Sequence, residues 1–164
     1  MNLSALLTII DETAGLGRLR EALSRPSGRG RSARAVAGIS DSAKPAALAA
    51  LVADEERPVL ILTGRPARAE VLAEELAAWL GPSADDAERV LLFPERDALP
   101  YERLAPARET VRDRLNAVIA LAEERPCVIV ASALALAQRT LSPDDLIRSV
   151  LDLRPGQRLE METF

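Results

Sequence analysis

The stretch that most constrains this chain is Pro58-Val59-Leu60-Ile61-Leu62-Thr63, an apolar run closed by Gly64. A strand with one wet face alternates apolar and polar residues, so a run without alternation reads as a strand buried on both faces. Such strands sit inside parallel sheets, where each strand reaches the next through a crossover, most often a helix. The sequence supplies those helices. Residues 66–80 begin at Pro66 and stop at Gly81-Pro82, and Leu72, Leu76, Trp79 and Leu80 share one face at helical spacing. Residues 90–93 form the next strand, and residues 107–124 a longer helix whose stripe is Val111, Leu115, Val118, Ile119 and Ala122. Residues 127–131 make a further strand. Upstream, residues 34–37 read as a short first strand, followed by a loop from Gly38 and a helix over about 45–53. Ser132 is placed to cap a short helix running to about Arg139. Ser142, followed by Pro143 and two acids, is placed to start another. The fold class expected is α/β, a four-stranded parallel sheet with helices on both faces.

The flanks break this pattern. Residues 4–10 and about 16–24 read as short helices broken near Gly15 and Gly17, and Arg25 to Ser32 is a Pro/Gly/Ser/Arg linker with no apolar period. From Arg154 the pattern changes again: Arg154-Pro155-Gly156 is a turn, and residues 157–164 alternate weakly, like the first strand of something new. The expected division is residues 1–32 as N-terminal helices and linker, 33–153 as the α/β domain, and 154–164 as the start of a truncated following domain.

Composition narrows the chemistry. The chain contains no histidine and one cysteine, Cys127, which removes the commonest general base and disfavours zinc sites, catalytic triads and an internal disulfide framework. No apolar run is long enough for a membrane span, and the apolar opening is followed by Asp11 and Glu12 with no basic segment before it; the expected location is the cytoplasm. The net charge of −4 gives no overall pull toward nucleic acid, but it is unevenly spread. Residues 1–34 carry six arginines against three acids, whereas residues 35–164 carry 15 basic against 22 acidic residues. Among all 21 basic residues there is a single lysine, Lys44.

That lysine lies in Gly38-Ile39-Ser40-Asp41-Ser42-Ala43-Lys44-Pro45, between the first expected strand and its helix. A working phosphate loop reads G-x-x-x-x-G-K-[ST] in the same strand–loop–helix setting. Gly38 and Lys44 hold the correct spacing, but the second glycine is replaced by Ala43 and the hydroxyl residue by Pro45. The glycine lets backbone N–H groups curl around phosphates, and the hydroxyl ligates magnesium; proline offers neither hydroxyl nor N–H. Asp41 adds a carboxylate where phosphate charge would sit. The segment is either a decayed nucleotide loop or an ordinary strand-to-helix connection with Lys44 pointing into solvent. Gly38 and Lys44 are thus candidate cofactor-binding residues of a degenerate loop expected not to function. No catalytic residue, metal ligand or cofactor is assigned. A second loop, residues 97–106, holds the single tyrosine, Tyr101, either as a partner contact or as a ring packed on the sheet edge.

From Phe93 to Leu159 the chain resembles the N-terminal module of the bacterial transcription-repair coupling factors. The residues that carry this are Leu99-Pro100-Tyr101 with Pro106 downstream, Arg114-Leu115, Val128-Ile129-Val130-Ala131 and Gly156-Gln157-Arg158-Leu159. Residues 33–64 agree more loosely, and the first thirty carry no recognisable motif. That module is similar to the first domain of the excinuclease protein UvrB, a helicase-like protein with an intact phosphate loop and a tyrosine-rich hairpin that clamps damaged DNA. Here only the short segment from Glu95 to Pro106 stands in the hairpin's place. The resemblance implies a helicase-like P-loop (RecA-like) fold in degenerate form, without ATPase activity in this chain. It also implies a role in nucleotide excision repair, as part of a scaffold that recruits the excinuclease protein UvrA, mainly through the domain beyond residue 164. RNA polymerase and DNA would be met only through the full-length protein, whose ATP-driven translocase is absent here. Two other readings stay open: a divergent nucleotide-binding domain that still uses Lys44, and a fragment of UvrB itself.

Overall fold

A computed structural model describes residues 3–24, 38–81, 88–97, 105–151 and 155–156. The strand expected at 34–37, the arginine-rich linker, Tyr101 and the strand expected at 157–164 lie outside the described residues. Three strands are present among those described: β1 (Val59–Thr63), β2 (Val90–Phe93) and β3 (Val128–Ser132). They form one parallel sheet in the order β1-β3-β2. Val128 pairs with Val59 on one side and Val90 on the other, so the last of the three described strands is the central one among them.

Ahead of the sheet, a single 3-10 turn (Ser4–Leu6) leads into α1 (Leu7–Asp11) and α2 (Ala14–Ser24). Gly15 and Gly17 lie inside α2, and the chain breaks at Glu12-Thr13 instead. These helices are joined to the α/β body. Leu3 N donates to Ala78 O at 2.8 Å, and Arg20 bonds both Asp11, at 2.6 Å, and the carbonyl of Ala50, at 2.5 Å.

Helices cover the two faces of the sheet. On one face lie α3 (Lys44–Val52) and α4 (Pro66–Leu80). Ala49, Val52, Leu72, Leu76 and Leu80 from these helices meet Val128 and Val130 of β3 there. On the other face lie α5 (Arg108–Ala122) and α6 (Ala133–Ala137), where Ala117, Ala120 and Ala135 meet Leu91, Phe93, Ile129 and Ala131. The period-two alternation of β3 therefore feeds both cores, and every residue of that strand is buried. α4 carries its apolar stripe where its spacing predicts, with Leu72, Leu76 and Leu80 buried and Trp79 packed at the margin. Each fully buried leucine stabilises the fold by roughly 1.5–3 kcal/mol relative to an exposed one. Near the C-terminus, α7 (Pro143–Ser149) is capped by Ser142, whose Oγ accepts from Asp145 N at 3.2 Å.

Two further expectations differ from the structure. β1 is not buried on both faces. Val59 and Ile61 pack against the α3–α4 side, but Leu60 and Leu62 are 48% and 56% exposed. On the second face α5 and α6 pack over Leu91 and Phe93 of β2 and Ile129 and Ala131 of β3, and no residue of β1 joins that core. The stripe of α5 is also rotated from the expected one. Arg114, Ala117 and Ala120 are its buried residues, while Val111 and Leu115 face outward. Small alanines let the helix approach the sheet closely, and the larger side chains are left along its flank.

Candidate functional site

The loop that leads into α3 has closed upon itself. Gly38 adopts φ +86°, a left-handed conformation that favours glycine and sets the direction of the turn. Ala43 has φ −90° and ψ −15°, ordinary right-handed geometry that needs no glycine. The N–H groups of Ala43 and Lys44 both donate to the carbonyl of Ser40, at 3.1 and 3.2 Å. In a phosphate loop such N–H groups point at the anion; here they are spent within the turn. Pro45 follows and has no N–H at all. The hydroxyls of Ser40 and Ser42 sit 3.2 Å apart.

Lys44 is exposed, as the ordinary-connection reading expects, but its ammonium is not without a partner. Its Nζ lies 2.5 Å from Asp41 Oδ1, one helical turn back. That hydrogen bond first, and then the charge of the ammonium, hold the Asp41 carboxyl below its ordinary range. A phosphate approaching Lys44 meets a carboxylate already in place. The hollow beside the loop, of about 680 Å³, is walled by Ile10, Leu16, Leu19, Ile39, Ala46 and Ala47, among others. Such walls suit apolar groups and offer a triphosphate few donors. The structure therefore places Gly38 in the turn that leads into α3 and Lys44 at the first residue of that helix, with the N–H groups of Ala43 and Lys44 bonded to Ser40.

A second cationic position was legible in the sequence only as part of a motif. Arg114 of α5 is 7% exposed, and its guanidinium carbon lies 4.0 Å from the centroid of the Phe93 ring. Nη1 donates to the carbonyl of Pro94 at 2.6 Å and reaches Gln138 Oε1 at 3.4 Å. The same Gln138 oxygen accepts from Arg96 N at 2.7 Å, so one amide joins α5 to the segments that follow β2 and α6. Nη2 is enclosed and has no hydrogen-bond partner. Burial pushes this guanidinium below its ordinary range, and the charge of Arg96 adds to the effect. The sequence signal that could have singled it out is an arginine flanked at helical spacing by Val111 and Val118, on a helix otherwise apolar along that side.

The remaining reactive groups are structural in their surroundings. Ser132 is buried; its Oγ accepts from Ala135 N at 3.0 Å, capping α6, and donates to Glu95 Oε1 at 2.7 Å. Cys127 is buried in the α5 core, where burial raises its thiol pKa, which keeps it protonated rather than nucleophilic. Among the described residues no cluster of three or more His, Cys, Asp or Glu side chains could hold a metal, and no helix is long and apolar enough to cross a membrane.

No protein-family model matches the chain, and no solved structure matches it. Over 73 residues the chain is 32% identical to the transcription-repair-coupling factor of Haemophilus influenzae, a stretch that makes up 44% of this chain and 6% of that protein. The kinship this establishes is partial: an α/β domain, similar over less than half its length to a small part of a transcription-repair coupling factor.

Proposed function

We infer that this chain is a non-catalytic scaffold module of a transcription-repair coupling factor, built on a degenerate helicase-like P-loop (RecA-like) domain that resembles the first domain of the excinuclease protein UvrB. In this reading it forms part of the platform that recruits the excinuclease protein UvrA to stalled RNA polymerase. The observation that carries the non-catalytic half is the self-satisfied loop. Lys44 is paired with Asp41, and the neighbouring N–H groups are bonded to Ser40. The repair half rests on the likeness to the Haemophilus influenzae coupling factor. Contacts with RNA polymerase and DNA belong to the full-length protein, and the acidic balance of residues 35–164 keeps duplex DNA away from this part of it.

A specific interface buries roughly 800 Å² per partner, and the main docking surface for UvrA is assigned to the domain that follows residue 164. The test is a calorimetric titration of UvrA against this chain and against a chain extended through the next domain of its parent. The extended chain should bind and the short one should not. Equal affinity would place the docking surface within these residues; no binding by either would remove the scaffold role.

A further inference from the structure

Arg114 does not stand alone. It lines a cleft of about 690 Å³ between the first half of α5 and the segments that follow β2 and α6. Arg96 and Arg139 line the same cleft, so three arginines border it at the carboxyl ends of the strands, where open α/β sheets usually place ligands. The walls are apolar: Val111, Leu115 and Leu141 line the cleft and are 40%, 36% and 43% exposed. These are the side chains of α5 that the expected stripe would have buried, together with a leucine beyond α6. One acid, Asp97, also lines it, and its Oδ2 accepts from Ala107 N at 2.7 Å just ahead of α5. A chain with net charge −4 therefore has a locally basic cleft with a greasy floor.

The chemistry of an occupant follows. Among the described residues Nη1 of Arg114 meets only neutral oxygens and Nη2 has no hydrogen-bond partner, so a carboxylate would supply a charged acceptor to this guanidinium. The apolar walls call for aliphatic side chains on either side of that acid. We propose that this cleft docks a short segment of a partner protein in which leucine-like residues alternate with acidic ones. The carboxylates lie against Arg114 and Arg139, and the aliphatic side chains against Val111, Leu115 and Leu141. Arg96 and Arg139 are exposed, so they set the entry charge and can be changed without touching the core.

The test uses fluorescence polarisation with this chain and a labelled hexapeptide alternating leucine and glutamate, compared with its leucine–glutamine counterpart and a labelled single-stranded oligonucleotide. The glutamate peptide should bind about tenfold or more tighter than the glutamine peptide, as charge-assisted hydrogen bonds require. The double variant Arg96→Glu/Arg139→Glu should lose that preference while keeping its circular dichroism and Tm. Arg114→Lys, which keeps the charge but loses the planar fork, should retain only part of it. Equal binding of the two peptides, no binding below millimolar concentration, or an unchanged preference in the double variant would overturn the proposal. So would tighter binding of the oligonucleotide that the same double variant abolishes, since that result assigns the cleft to nucleic acid.

Discussion

Lys44 and Arg114 are the two positions where this fold holds a cation of interest, and they are opposites. Lys44 is half exposed, on a turn at the start of a helix, with Asp41 at 2.5 Å as its partner. Arg114 is buried against Phe93, bonded to the carbonyl of Pro94, and has one nitrogen left without an acceptor. The lysine looks functional in sequence because of its spacing from Gly38, yet the fold has already given it a carboxylate. The arginine carries no catalytic motif, yet among the described residues it is buried with only neutral oxygens as partners. What a charged residue can do for a ligand depends less on its motif than on which of its bonds the protein has already filled.

The comparison can be broken by mutation, starting with the arginine. Arg114→Ala removes the bond to Pro94, the contact with Phe93 and the packing of a long aliphatic stem, and should destabilise the chain by about 3 kcal/mol. Chemical denaturation would measure it. A loss too small to detect would mean that the guanidinium is not held as described, and the contrast with Lys44 would collapse. At the loop, Gly38→Ala should cost about 1 kcal/mol. A Cβ at Gly38 would meet no atom within 4 Å, so the cost would come from the left-handed φ and not from a clash. A neutral Gly38→Ala would show that the turn is free to open, which is what a working phosphate loop would need.

Much of the fold was legible. The bounds of α4 and β2 match their sequence patterns, because Pro66, Gly81 and a tight apolar run mark them locally. Ser132 and Ser142 were found as caps because the hydroxyl–N–H bond is a matter of two or three residues. The misreadings concern longer range. Periodicity shows that Leu60 and Leu62 are strand residues, but where the helices lie decides whether a second face is covered, and α5 and α6 pack over β2 and β3. Likewise the apolar residues of α5 mark a helix without showing which side the alanines bring to the sheet. The loop at Gly38 was visible from its residues, whereas its state depended on where the Ser40 carbonyl points, which no residue-type pattern encodes.

The central claim of the proposed function is that the loop from Gly38 to Pro45 does not serve nucleotide, and its most direct test is a titration of fluorescent ATP, with and without magnesium, into the native chain and Lys44→Ala. With the N–H groups of Ala43 and Lys44 bonded to Ser40 and the ammonium bonded to Asp41, no saturable magnesium-dependent binding is expected, and the traces of the two proteins should be identical. Weak binding that ignores magnesium and disappears in Arg139→Glu would belong to the Arg114 cleft and leave the claim standing. Micromolar, magnesium-dependent binding that Lys44→Ala abolishes would contradict it, and would make this chain a nucleotide-binding domain after all.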